Sequence, residues 1–194
     1  MPMTAQDLLQ TGRLTLQDPR RAARVVMSWP FSVVELWGVL GLAAIISALV
    51  SEALVMQAPE GVDPVLAIMM GSPIAFAAIQ FGGLALLVTL TYGVGRQFGG
   101  KGSFVGALAL MGWLQTILVV LQVAQIVALT LLPPLAVIIS LMSLVLFVWL
   151  MTSFTAELHG FTSLVKTFFG MVAAFFGMSV LLALFLVLVM GLGA

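Results

Sequence analysis

The sequence predicts an all-α, polytopic membrane protein: five transmembrane helices in one bundle, preceded by short amphipathic N-terminal helices. Three observations carry this. Only 7% of the 194 residues are charged and 62% are hydrophobic, against about 25% charged in soluble domains, and the mean hydropathy is +1.26. Apolar runs near the ~20 residues that cross a ~30 Å hydrocarbon layer recur along the chain. The cations fall between those runs on alternate connections, as they would if every second loop faced the same compartment.

Residues 1–29 form the one long stretch without a spanning run and hold Arg13, Arg20, Arg21 and Arg24 against Asp7 and Asp18. Thr4 followed by Asp7 reads as a capping box, and Asp18-Pro19 supplies an N-cap with proline at the first helical position, so short helices are expected at about 5–12 and 19–28. Leucines and valines among arginines suit a helix lying on an anionic membrane surface. They equally suit a solvated cap over the bundle. A cleaved leader is not expected, because its basic segment would be some 30 residues long.

The membrane domain, 30–194, divides into spans at about 31–55, 73–92, 104–132, 135–156 and 168–190. Glu35 and Glu52 mark the two ends of the first. A short acidic loop with Glu60 and Asp63 leads into an expected interfacial helix at Pro64–Met70, and Ser72-Pro73 opens the second span. The glycine-rich break Gly93–Phe104 carries Arg96 and Lys101; Pro133-Pro134 forces the next reversal; Glu157–Ser163 precedes Lys166 and the last span. With the N-terminus cytosolic, every Lys and Arg lies inside while Glu52, Glu60 and Asp63 lie outside. Trp29, Trp37, Tyr92, Trp113 and Trp149 then form an aromatic belt toward the cytosolic ends.

Formal net charge is zero, which offers no basic surface for nucleic acid. Without cysteine there is neither disulfide nor thiolate chemistry, and one histidine, His159, cannot make a histidine-rich metal site, so no cofactor or metal is expected. The partners expected are the lipid bilayer and other membrane proteins or further copies of the chain.

Gly95–Lys101 reads G-x-x-x-x-G-K, most of a phosphate-binding loop, but Gly102 stands where a magnesium-binding Ser or Thr is needed and the setting is a turn between spans. A plain flexible turn is the expected role, with a backbone nest for lipid phosphates as the alternative. Gln115, Gln122 and Gln125 lie within about 80° on the third span, with Gln80 and Thr89 on the second. They read as a polar packing stripe, or else as a path for a small solute. Gly102/Gly106, Gly170/Ala174 and Ala173/Gly177 have the spacing of close helix approaches. Glu157 and His159, two residues apart on a helix, point to different faces and read as a polar connector rather than an acid–base pair. Lipid headgroups or partners are expected at Arg20, Arg21, Arg24, Arg96, Lys101, His159 and Lys166.

Asp18-Pro19-Arg20, Phe98-Gly99-Gly100-Lys101-Gly102-Ser103-Phe104 and Glu157-Leu158-His159-Gly160-Phe161 together resemble the Yip1-domain family, in particular its short bacterial members. The resemblance covers nearly the whole chain. It implies five spans, an N-terminus in the cytosol, a C-terminus across the membrane and residence in the bacterial inner membrane, with no assigned reaction and no catalytic residue. Eukaryotic members are associated with Rab-type GTPases through a longer N-terminal domain and an Asp-Leu-x-Gly-Pro motif. Neither is in this sequence, so Rab binding is not implied. A non-enzymatic membrane organiser or interaction scaffold is the expected role, with a small transporter or lipid-translocating subunit as the alternative.

Overall fold

A computed structural model describes residues 4–57 and 72–191. Its elements are helices: α1 (Ala5–Gln17), α2 (Pro19–Met27), α3 (Val33–Gln57), α4 (Pro73–Gln97), α5 (Phe104–Leu131), α6 (Pro133–His159) and α7 (Leu164–Gly191). Four of them, α3 to α6, are long and apolar enough to cross a membrane, and α7 adds an apolar helix over Leu164–Val180. The helix expected at Pro64–Met70 lies outside the described residues.

Local capping chemistry sets most helix starts. The Thr4 hydroxyl and N–H both donate to Asp7 Oδ2, at 2.7 and 2.8 Å, and hold its carboxyl below the usual range, while the Asp7 N–H returns to Thr4 Oγ1. Asp18 accepts from the Arg21 N–H at 2.9 Å with Pro19 behind it. Ser32 and Glu35 repeat the capping box at the start of α3, so Glu35 serves as a helix cap. Ser72 and Ser103 cap α4 and α5.

Helix ends differ more from expectation. α1 runs to Gln17, and α4 continues through Gly93 and Gly95 to Gln97, absorbing the first part of the glycine-rich break. α6 starts on both prolines, whose missing N–H groups need no partner in a first turn, and continues three residues past 156 to His159.

α5 is the central helix, touching α2, α3, α4 and α6, while α7 packs against α6. Burial is concentrated where α2 covers the bundle. There Gly106 to Gln115 of α5 and Leu150 to Ala156 of α6 are enclosed, together with Leu40, Val26, Ala22 and Ala23. α2 is therefore a cap seated on the bundle. Leu9 and Leu16 of α1 stay exposed. Trp113 is the exception to the expected aromatic belt: it is buried beneath the cap, edge-on to Trp29 at 5.2 Å, and donates from Nε1 to Thr15 Oγ1 at 2.9 Å. A buried indole N–H needs such a partner.

Candidate functional site

At the capped end, the C-termini of α4 and α6 close in the same way. Gly99 and Gly160 adopt left-handed φ values of 82° and 72°, which glycine reaches without the Cβ clash of other residues. Behind them the Gly100 N–H reaches Gly95 O (2.9 Å) and the Phe161 N–H reaches Ala156 O (2.8 Å), while the Gly99 and Gly160 N–H groups bond Arg96 O and Glu157 O. Both ends are Schellman closures.

His159, the last residue of α6, joins the two. The residue is 2% exposed, and its ring lies in a cradle made by Gly95, Gly100 and Gly102. A Cβ built on Gly95 or Gly100 would enter the ring, and one on Gly102 would lie 2.8 Å from Cε1. Nε2 is 3.0 Å from the Thr91 carbonyl and Nδ1 is 3.3 Å from the Gly102 N. A carbonyl can only accept and an N–H can only donate, so these partners select the neutral tautomer with the proton on Nε2. The Lys101 N–H bonds the His159 carbonyl at 3.2 Å, and Phe161 stacks on the ring at 5.5 Å.

Glu157 faces the other way, as its two-residue offset from His159 requires. It accepts from Arg20 Nε at 2.8 Å and from Arg24 Nη1 at 2.7 Å, and this partner raises the Arg24 pKa. Arg20 also donates to the Phe161 carbonyl at 2.9 Å. One carboxylate and one free carbonyl of the α6 terminus therefore hold α2 in place.

These contacts decide several readings. Every backbone N–H from Phe98 to Gly102 is bonded within the protein, to Val94, Arg96, Gly95 and His159. The glycine-rich turn thus offers no nest of free amides to a phosphate; Gly95, Gly100 and Gly102 are required by the approach of His159, and Gly99 by its left-handed φ. His159 is not an exposed contact for headgroups or partners, because it is buried. Arg20 and Arg24 are engaged with Glu157, whereas Arg21, Arg96, Lys101 and Lys166 are exposed. Glu157 and His159 do not face a common space, so the pair is not arranged for acid–base work.

The glutamine stripe is divided. Ser47, fully buried on α3, donates to Gln122 Oε1 at 2.8 Å and accepts from Gln80 Nε2 at 2.7 Å. This triad ties α3, α4 and α5 together. Gln115 is buried and Gln125 half-buried on the same side of α5, outside the triad. Gly102 and Gly106 do allow a close approach, both to Leu158, whereas a Cβ on Gly170 or Gly177 meets nothing within 4 Å. Among the described residues no group of three or more His, Asp or Glu side chains could hold a metal ion.

Sequence reasoning missed Thr91 and Ser47 and missed what the turn glycines approach. A lone histidine ending a span was the available signal. A family model for the Yip1 domain matches residues 13–191. No curated protein and no solved structure matches the chain.

Proposed function

The chain belongs to the Yip1-domain family, and on that premise we propose that it is a non-enzymatic membrane-organising or interaction scaffold. In this reading it has five spans, its N-terminal helices on the cytosolic side of a bacterial inner membrane and its C-terminus on the other side. The placement of cations supports that orientation, since all seven Lys and Arg would lie on the cytosolic side.

One observation carries the scaffold reading. The groups at the capped end that could do acid–base chemistry are occupied in holding the structure, Glu157 by two arginines and His159 by the glycine turn. The exposed cations left there, Arg21, Arg96, Lys101 and Lys166, suit anionic headgroups or an acidic partner surface. Extraction of a tagged copy in native membrane discs, with bound proteins and lipids counted by mass spectrometry, tests it. A stoichiometric protein partner lost on substitution of Arg96 and Lys101 is the expected outcome. Turnover of a substrate, or solute flux in reconstituted vesicles, would overturn it.

A further inference from the structure

α7 leaves a groove beside α4 and α6 of about 510 Å³, within the ~300–1,000 Å³ of small-ligand sites. Its walls are apolar, built from residues such as Leu87, Leu90, Phe147, Met151, Met171 and Phe175. Among the described residues that line it, the one charged side chain is that of Lys166, which is exposed and shares the lining with Phe161 at the capped end.

The length of the groove indicates what fits. Lining residues run on α7 from Lys166 to Phe175 and on α4 from Leu87 to Phe98, about 14 and 16 Å at 1.5 Å per residue. Among the described residues the lining thus covers close to half of a ~30 Å hydrocarbon layer, the depth of one leaflet. A spanning helix of a second copy would run the full depth of the bundle. A chain reaching in from one leaflet would not. Thr91 and Thr155 line the same groove, are 7% and 4% exposed, and have hydroxyl oxygens without a partner among the described residues. Buried hydroxyls in that state are unusual.

We propose that the groove binds one acyl chain of an anionic phospholipid from the leaflet at the capped end. Lys166 faces the phosphate, and Thr91 and Thr155, whose hydroxyl oxygens are buried in the wall, become donors to the ester carbonyls beneath it on rotating about χ1 into the groove. This rests only on the chain's residence in a bilayer and is independent of the scaffold reading.

The test uses the full chain in phosphatidylcholine discs with a trace of phosphatidylglycerol bearing a photoreactive group midway along one acyl chain, followed by peptide mapping. Adducts should gather on α4, α6 and α7 around Leu90, Met151 and Met171, and excess phosphatidylglycerol should displace them better than phosphatidylcholine. Gly170→Leu, where a Cβ meets open space, and Ala174→Leu fill the groove and should remove most of the adducts. Lys166→Ala should keep the adducts but reduce the preference for phosphatidylglycerol roughly fivefold, as expected for one cation near the surface. Melting of each variant in the same discs reports folding; should both filled variants fail to fold, the lysine variant and the lipid competition decide alone. Adducts spread evenly over other exposed apolar faces such as Val120 and Val145, adducts unchanged in folded filled variants, no preference between the two lipids, or a second copy cross-linked into the groove would each overturn the proposal.

Discussion

From Gly106 to Gln115 α5 is enclosed on every side, whereas further along the same helix Val120, Val123, Val127 and Leu131 are exposed. Both stretches are apolar, so composition did not decide which would be buried. In lipid an apolar side chain gains little by leaving its neighbours for another helix, and packing and hydrogen bonds have to fasten the bundle instead. The capped end has both in quantity: the histidine in its glycine cradle, two ion pairs, and the Trp113 to Thr15 bond. In the remainder, among the described residues, the hydrogen bonds between spans are the two at Ser47 and one from Thr130 to Gln57 at 3.3 Å. The fastened end therefore defines the fold, and the other end needs little more than a solvent that tolerates it.

The largest effects should come from the glycine cradle. Gly95→Val or Gly100→Val drives a side chain into His159 and should cost about 3 kcal/mol or more, read as loss of the unfolding transition in discs. Gly82→Ala and Gly83→Ala, where a Cβ meets nothing within 4 Å, should shift it by less than about 1 kcal/mol. Equal tolerance in both pairs would show that the cradle does not fasten the capped end. His159→Leu comes next. It leaves the Gly102 N–H buried without an acceptor, at about 2–3 kcal/mol, and unfolding midpoints against His159→Gln will show how much an amide restores.

Glu157→Gln should follow, because its arginine partners are partly exposed and the loss falls between exposed and buried pairs, about 1–3 kcal/mol. The sharper reading is local: limited proteolysis should cut α1 and α2 while α3 to α6 survive. Arg21→Ala, on an exposed residue, should leave the cutting pattern unchanged. Smallest is Ser47→Ala, which unpairs Gln80 and Gln122 at about 0.6–2 kcal/mol. A larger loss from Ser47→Ala than from Glu157→Gln would reverse the assignment of which end fastens the bundle.

What could be read from the sequence was local. Thr4 with Asp7, Asp18 with Pro19, and Ser72 with Pro73 each state a helix start within four residues, and the apolar runs state the spans. The opposite directions of Glu157 and His159 followed from helical geometry alone. Their partners did not, because His159 meets an amide 57 residues earlier and Glu157 meets Arg20 at a separation of 137. Trp113 was misread as a belt residue for a related reason. On a helix apolar all round, nothing in the pattern says which face turns inward, so only the packed structure could place it beneath the cap. The glycine-rich stretch reads as a plain turn with a phosphate nest as the alternative, and only the packed structure decides between them, since a glycine needed for close approach and one needed for a free amide look identical in sequence.

The separation of 137 residues between Arg20 and Glu157 also imposes an order on biosynthesis. At ~5–20 residues per second, Arg20 is made roughly 7–30 s before its carboxylate partner. During that interval Arg20 and Arg24 can be matched only by water or by lipid phosphates, and the apolar face of Ala22, Ala23 and Val26 has no bundle to cover. The seated cap is therefore a property of the finished chain, since before Glu157 is made the segment has neither of the ion pairs that hold it.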